Sequence, residues 1–198
     1  VPTQIVLLSD THLPKRAKRL PTALWDAIDR ADIVVHAGDW VTVDLLDELQ
    51  ARSNRLVGVR GNNDGPEFAD RLPEVASFDV DGLRFAVVHE TGSSVGRERR
   101  MLDAYPDTDV LVFGHSHIPW DTTASAPDTT ASAPGTTASA PDTTGPGGER
   151  RLRLLNPGSP TDRRRQPDFT WMTGMVDRGT LTIDLVRLHP SPPEAPRR

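Results

Sequence analysis

Cysteine is absent from the 198 residues. Disulfides, thiolate metal centres and cysteine nucleophiles are therefore excluded together, and the composition suits a reducing compartment. No run of about 18 apolar residues occurs, so no helical membrane span is expected. No basic segment followed by an apolar stretch precedes the strand-like Ile5–Leu8 run. A signal peptide is therefore not expected, and the protein is expected to be cytoplasmic. Lysine is nearly missing, at two residues against 21 arginines, and the net charge is −5 with a pI of about 5.7. That balance supplies no overall basic field, so nucleic acid is not an expected partner. Hydrophobic residues make up 36% of the chain, which is low for a compact domain. A polar insert accounts for much of the deficit, and the length suits one domain with a sizeable core.

The first third of the chain alternates strand and helix signals. Ile5–Leu8, Ile33–Val35 and Leu56–Val59 read as buried strands. Between them, Pro21 precedes Leu24, Trp25 and Ile28 at helical spacing, and Asp44 precedes Leu45, Leu46 and Leu49. Such β-α-β-α-β order predicts a parallel sheet with right-handed crossovers. Beyond it, Asp81-Gly82 between Val75–Val80 and Leu83–Val88 predicts a hairpin. A helix is predicted over about 96–105, closed by Pro106, and a short strand over Val110–Phe113. Asp177-Arg178-Gly179 between Phe169–Val176 and Thr180–Leu188 predicts a second hairpin. This mixture predicts two mixed sheets packed face to face with helices outside, a four-layer α/β/β/α sandwich.

Residues 122–142 are three copies of a seven-residue unit, TTASAPD, TTASAPG and TTASAPD. The unit has no large apolar residue with which to offset ordering entropy. The expectation is one domain over residues 1–188, interrupted by a low-complexity loop at about 122–148. A disordered tail at 189–198 is expected to follow. Excising Thr123 to Gly147 is accordingly expected to leave folding and activity intact.

The chemistry-bearing residues sit where the strands end. Strand one leads into Asp10-Thr11-His12, strand two into Gly38-Asp39, and strand three into Gly61-Asn62-Asn63-Asp64. Later strands lead into His89-Glu90 and Gly114-His115-Ser116-His117. Ligands bind at the carboxyl ends of strands in open α/β sheets, so five strand ends are expected to bring donors to one crevice. In an extended segment, Asp10 and His12 leave the chain on the same side, as do His115 and His117. Gly38 and Gly114 permit tight turns just before the donors. The Asp39 carboxylate has two oxygens and can bridge two ions. A donor set of nitrogen and oxygen alone suits Mn²⁺, Zn²⁺ or Fe rather than soft-metal chemistry.

The order D-x-H, G-D, G-N-x-D, H, G-H-x-H resembles the calcineurin-like metallophosphoesterase superfamily. Chain length and Asn156-Pro157-Gly158-Ser159 resemble its small single-domain bacterial and archaeal phosphodiesterase branch. The resemblance implies one ion on Asp10, His12, Asp39 and His117, and a second on Asp39, Asn62, His89 and His115. It implies two divalent ions, Mn²⁺ first, with Zn²⁺, Fe or Ni²⁺ as alternatives. It also implies a metal-bridging hydroxide that attacks a small phosphate ester. A phosphodiester is the expected substrate, with a phosphomonoester as the variant.

Two positions depart from that family's pattern. Asn63 occupies the place of a His thought to protonate the leaving group, and an amide supplies no proton near neutral pH. Glu90 stands where Gly is usual, and is expected to accept a hydrogen bond from an imidazole, to face substrate, or to be simply exposed. His36 and Asp64 are expected to support the ligands without binding metal. Arg163-Arg164-Arg165 is expected to be a solvated run, and Trp40 either floors a substrate pocket or packs in the core. The competing functions are a non-catalytic protein-interaction scaffold on the same fold, and a nuclease.

Overall fold

The computed structural model describes residues 1–127 and 149–190. Its first sheet contains β1 (Thr3–Leu8), β2 (Ile33–His36), β3 (Leu56–Gly58), β9 (Phe169–Asp177) and β10 (Thr180–Leu188). The order is β10-β9-β1-β2-β3, with β1, β2 and β3 parallel and β9 and β10 antiparallel. The second sheet contains β4 (Val75–Val80), β5 (Leu83–Val88), β6 (Val110–Val112), β7 (Trp120–Pro127) and β8 (Glu149–Asn156). Its order is β4-β5-β6-β8-β7, with β5, β6 and β8 parallel. Three α-helices, α1 (Thr22–Ile28), α2 (Val43–Arg52) and α3 (Arg97–Ala104), and a short 3-10 helix at Pro66–Phe68 complete the described elements. No described helix is long and apolar enough to cross a membrane.

Period-two alternation in β1 explains the layering. Val6 and Leu8 point to one side and pack with Leu24 and Ile28 of α1 and Leu45, Leu46 and Leu49 of α2. Ile5 and Leu7 point to the other, against Phe85, Val87, Val110, Val112 and Leu155 of the second sheet. Beyond that sheet, Ala86, Val88, Leu111, Leu152 and Leu154 pack on Leu102 of α3. The expected α/β/β/α sandwich is thus present. Both hairpins turn on two residues with positive φ, Asp81 at 44° with Gly82 at 86°, and Arg178 at 49° with Gly179 at 73°. Asp177 already pairs with Thr180, so the second turn is one residue shorter than the sequence suggested.

The low-complexity segment enters the sheet earlier than expected. Thr122–Pro127, most of the first repeat copy, lies in β7 and pairs antiparallel with Leu154–Glu149. The unit alternates, so Ala124 and Ala126 face inward, each 6% exposed, while Thr123 and Ser125 face solvent. A strand on a sheet edge needs no large anchor when methyl groups fit the space below it. Residues 128–148 and 191–198 lie outside the described residues, so the remaining expected loop and the tail lie there too. His189, assigned to the tail, is hydrogen-bonded through Nδ1 to the buried Asp168.

This register predicts that Ala124→Asp lowers unfolding stability by about 3 kcal/mol, because it buries an unpaired carboxylate. Thr123→Asp should stay within about 0.5 kcal/mol, since Thr123 is exposed opposite Arg153. Urea unfolding of both variants checks the prediction; equal midpoints would show that β7 does not hold this register. Excising Thr123 to Gly147 would strip β8 of this partner, so the expectation of a neutral deletion does not survive.

Candidate metal centre

The six parallel strands deliver their carboxyl ends to one edge of the sandwich. β1 leads to Asp10 and His12, β2 to Asp39, and β3 to Asn62. In the other sheet β5 leads to His89, β6 to His115 and His117, and β8 to the 156–162 turn. The loops interlock through their backbones: Asp10 N donates to Gly38 O at 2.9 Å, His12 N to Asp39 O at 3.0 Å, and Gly114 N to His89 O at 3.0 Å.

These residues are not extended, as the reading of the D-x-H and H-x-H spacing assumed. Asp10 (φ 55°), His12 (44°), Asp39 (63°), His115 (70°) and His117 (59°) are all left-handed. Such conformations are uncommon for residues other than glycine, though Asp and His tolerate them best. Each costs on the order of 1 kcal/mol or more and persists only where surroundings enforce it. Enforcement is visible. His115 N donates to the Asp10 carboxylate at 3.0–3.1 Å, Ser159 Oγ to Asp10 O at 2.7 Å, and Thr161 Oγ1 to Thr11 O at 2.5 Å. Gly114 has no positive φ; a Cβ there would stand 2.9 Å from Ala37 O and Asp10 Oδ2. Close approach, not turn geometry, requires that glycine.

All seven expected ligands meet. The Asp39 carboxylate lies in the middle, with Oδ2 3.4 Å from His12 Nε2 and Oδ1 3.3 Å from His89 Nε2. On one side His12 Nε2 and His117 Nε2 are 3.2 Å apart, and His117 Nε2 is 3.3 Å from Asp10 Oδ1. On the other, Asn62 Oδ1 is 3.0 Å from both His89 Nε2 and His115 Nδ1. Ring orientation is set from behind: His89 Nδ1 donates to Ala37 O at 2.8 Å and His117 Nδ1 to Asp162 O at 2.5 Å. In the neutral rings, Nε2 is then a bare lone pair. Each cluster therefore turns such a lone pair toward an oxygen acceptor, His117 Nε2 toward Asp10 Oδ1 at 3.3 Å and His89 Nε2 toward Asn62 Oδ1 at 3.0 Å and Asp39 Oδ1 at 3.3 Å, contacts that a cation or an added proton satisfies. The donor set fits divalent metal ions on this ground.

Without such an ion, protons fill the gap. Burial works to lower the His89 pKa, but the Asp39 hydrogen bond and the charges of Asp10 and Asp39 overcome it and raise it to about 9. Burial opposes ionisation of Asp39 too, yet contacts with His89 and Asn63 hold it well below the usual carboxylate range. Asp10 is pushed up to about 7 by burial, partly offset by His89. His117 is lowered to about 4 by burial, with Arg164 adding to the effect. Metal binding must therefore release protons.

The neighbouring residues take defined places. His36 is fully buried and stacks on Trp40 with ring centroids 3.5 Å apart. Its Nδ1 accepts from Gly38 N at 3.2 Å, so Nε2 carries the proton and donates to Thr11 Oγ1 at 3.0 Å. Trp40 is buried and donates to Val59 O, which makes it core and not a pocket floor. The Asp64 carboxylate accepts from Gly61 N (2.6 Å), Val41 N (2.8 Å) and Asp39 N (3.1 Å), bracing two ligand loops. Asn63 clamps Asp39, its backbone N donating to Oδ1 at 2.9 Å and its Nδ2 to Oδ2 at 2.7 Å. Glu90 is half-exposed, with Oε1 3.6 Å from His115 Nδ1. The arginine run is not uniformly solvated: Arg163 donates to Gln166 O, and Arg164 reaches toward His115 O at 3.4 Å. A cavity of about 490 Å³ opens beside Asn62 and His89, bounded also by Arg60, Glu74, Glu90 and Tyr105.

Sequence reasoning missed the turn after β8 as a working part. Asn156 Nδ2 holds Gly114 O at 2.9 Å, and Ser159, Thr161 and Asp162 support Asp10, Thr11 and His117. The signal was the polar run Asn156–Asp162, in which Asn156, Ser159 and Thr161 are buried.

Comparison with known proteins agrees with this geometry. The calcineurin-like phosphoesterase superfamily domain matches residues 4–179. A probable metallophosphoesterase of Methanothermobacter thermautotrophicus is 28% identical over 185 residues, covering 92% of this chain and 91% of the relative. A phosphodiesterase of Methanocaldococcus jannaschii is 25% identical over 127 residues, 58% of this chain and 73% of the relative. Among solved structures, a vacuolar protein sorting 29 from Entamoeba histolytica, crystallised with Zn²⁺, superposes with a TM-score of 0.62 at 17% identity, covering 93% of this chain and 98% of that one. At that identity the likeness concerns the fold alone.

Proposed function

This chain belongs to the calcineurin-like phosphoesterase superfamily, and from that premise we propose that it hydrolyses phosphodiesters with two divalent ions, Mn²⁺ first among them. Asp10, His12 and His117 would hold one ion and Asn62, His89 and His115 the other, with Asp39 shared. The observation that carries this reading is the convergence of imidazole lone pairs with carboxylate and amide oxygens in two clusters joined by one carboxylate. When bound, such ions lower the pKa of water to supply a nucleophile at neutral pH and neutralise charge on the phosphoryl oxygens.

The chain's own residues supply position. Asn63 and Asp64 fix Asp39 and its backbone, so that each carboxylate oxygen faces a different imidazole. Ala37 O and Asp162 O hold the His89 and His117 rings with Nε2 forward. Burial keeps bulk water from Asp10 and Asp39, at 0% and 1% exposure, whereas the His115 side chain is half-exposed and marks the open side. The adjoining cavity gives the ester's alcohol a place to lie. Asn63 faces Asp39 and offers no acid, so leaving groups that depart without a proton are favoured.

A sorting protein, vacuolar protein sorting 29, shares the fold, but no residue of this chain's site favours the scaffold or the nuclease alternative over hydrolysis. The test is hydrolysis of bis-p-nitrophenyl phosphate. Chelated protein should be inactive and Mn²⁺ should restore turnover; full turnover in excess chelator by metal-free protein would refute the reading.

A further inference from the structure

We propose that Glu90 is an additional ligand of the ion held by Asn62, His89 and His115, and that its charge biases the site toward phosphodiesters over phosphomonoesters. The inference rests on the two-ion reading above. Glu90 follows His89 directly at the end of β5, and one ligand atom each from His89, Glu90 and His115 lie within 4.8 Å of one another. Donors that share an ion at about 2.0–2.2 Å stand at most about 4.4 Å apart. The 3.6 Å between Glu90 Oε1 and His115 Nδ1 falls inside that limit. Among the described residues no guanidinium is paired with this carboxylate. The nearby Arg60 is paired with Glu74 at 2.5 Å, and His115 is the one basic side chain within 4 Å of the Glu90 carboxylate among the described residues. Glu90 also lines the cavity beside the site, so its carboxylate stands where an ion and an arriving ester both meet it.

The consequence is electrostatic. Each carboxylate on the ion pair lowers its net charge by one unit, which weakens the attraction for a phosphate group in proportion to that group's charge. A phosphomonoester is a dianion near neutral pH and a phosphodiester a monoanion. Glu90 therefore penalises the monoester more. A neutral residue at position 90 would leave the second ion less tightly held and the site more attractive to dianions.

Calorimetric Mn²⁺ titration and visible spectra of the Co²⁺-loaded protein test this on wild type, Glu90→Gln and Glu90→Ala. Expected are two ions in wild type and, in both variants, an unchanged first affinity with a second affinity weakened about tenfold to a hundredfold. The Co²⁺ absorption of the second ion should intensify as its coordination number falls. The ratio of bis-p-nitrophenyl phosphate to p-nitrophenyl phosphate turnover should drop severalfold. The Glu90 side chain is half-exposed, and a melting temperature near that of wild type confirms that the variants are folded. Two ions in wild type with unchanged second affinity and spectrum in both variants would overturn the role of Glu90 alone. Absence of a second ion from wild type would overturn it together with the two-ion reading.

Discussion

Asp39→Ala is expected to abolish tight binding of both ions and to lower kcat on bis-p-nitrophenyl phosphate by about a thousandfold. A bound metal supplies several kcal/mol of transition-state stabilisation, and about 4 kcal/mol corresponds to roughly three orders of magnitude in rate. The residue earns this weight by position: its two oxygens lie 3.4 Å from His12 Nε2 and 3.3 Å from His89 Nε2, one toward each cluster. Its loss also removes the acceptor that holds Asn63, and the hydrogen bond and charge that raise the His89 pKa. His89 should then lose its proton at lower pH, which frees its nitrogen for a cation, but the neutral donors that remain lack the shared negative charge and hold an ion weakly. Stoichiometry after dialysis against Mn²⁺ reads the result beside the kinetics. His89→Ala is the contrast, since it subtracts from one cluster and should spare the ion on Asp10, His12 and His117. An Asp39→Ala protein that retained two ions would show that the carboxylate is not shared.

Gly61→Ala should be nearly as damaging although it removes no donor. A Cβ at position 61 would lie 2.3 Å from Asp39 Oδ1 and 2.4 Å from Asp39 N, both far inside contact distance. Neither atom can yield freely. Asp39 N donates to Asp64, and its oxygens are held by Asn63. Overpacking of this kind costs about 3 kcal/mol, and the shift it forces moves the shared carboxylate. Expected are a lower urea midpoint and weakened binding of both ions. Gly82→Ala serves as the control: nothing lies within 4 Å of its Cβ, so only the strain of φ +86° remains, about 1 kcal/mol with no effect on metal. Gly61→Ala behaving like Gly82→Ala would mean that the loop has room that the packing denies.

Much of this was legible in the sequence because the ligands sit at the ends of strongly apolar runs. Ile5–Leu8, Ile33–Val35 and Val110–Phe113 declare themselves as buried strands, and polar residues just beyond such strands must face one edge of the sheet. The left-handed backbone of Asp10, His12, Asp39, His115 and His117 was not legible. D-x-H spacing looks the same in an extended segment and in a turn, and only contacts from residues 114–115 and 159–161, remote in sequence, select the turn. β7 and β8 escaped for a different reason. Repeats of Thr, Ser and Ala read as polar coil, and the alternation that buries Ala124 and Ala126 needs the facing Leu152 and Leu154 to give it meaning. Those leucines are interleaved with Arg151 and Arg153, which carry their charge to Glu149 and Asp121. Asn63 is instructive in the opposite sense. Sequence marked it as the place of a missing acid, whereas its amide holds Asp39 through two hydrogen bonds.

Anomalous scattering from crystals soaked in Mn²⁺ tests the central claim most directly. The account predicts two peaks at the carboxyl edge of the sandwich. One should be bounded by Asp10, His12 and His117 and the other by Asn62, His89 and His115, with the Asp39 carboxylate touching both. A single peak, or peaks that leave Asp39 without contact to either ion, would contradict it.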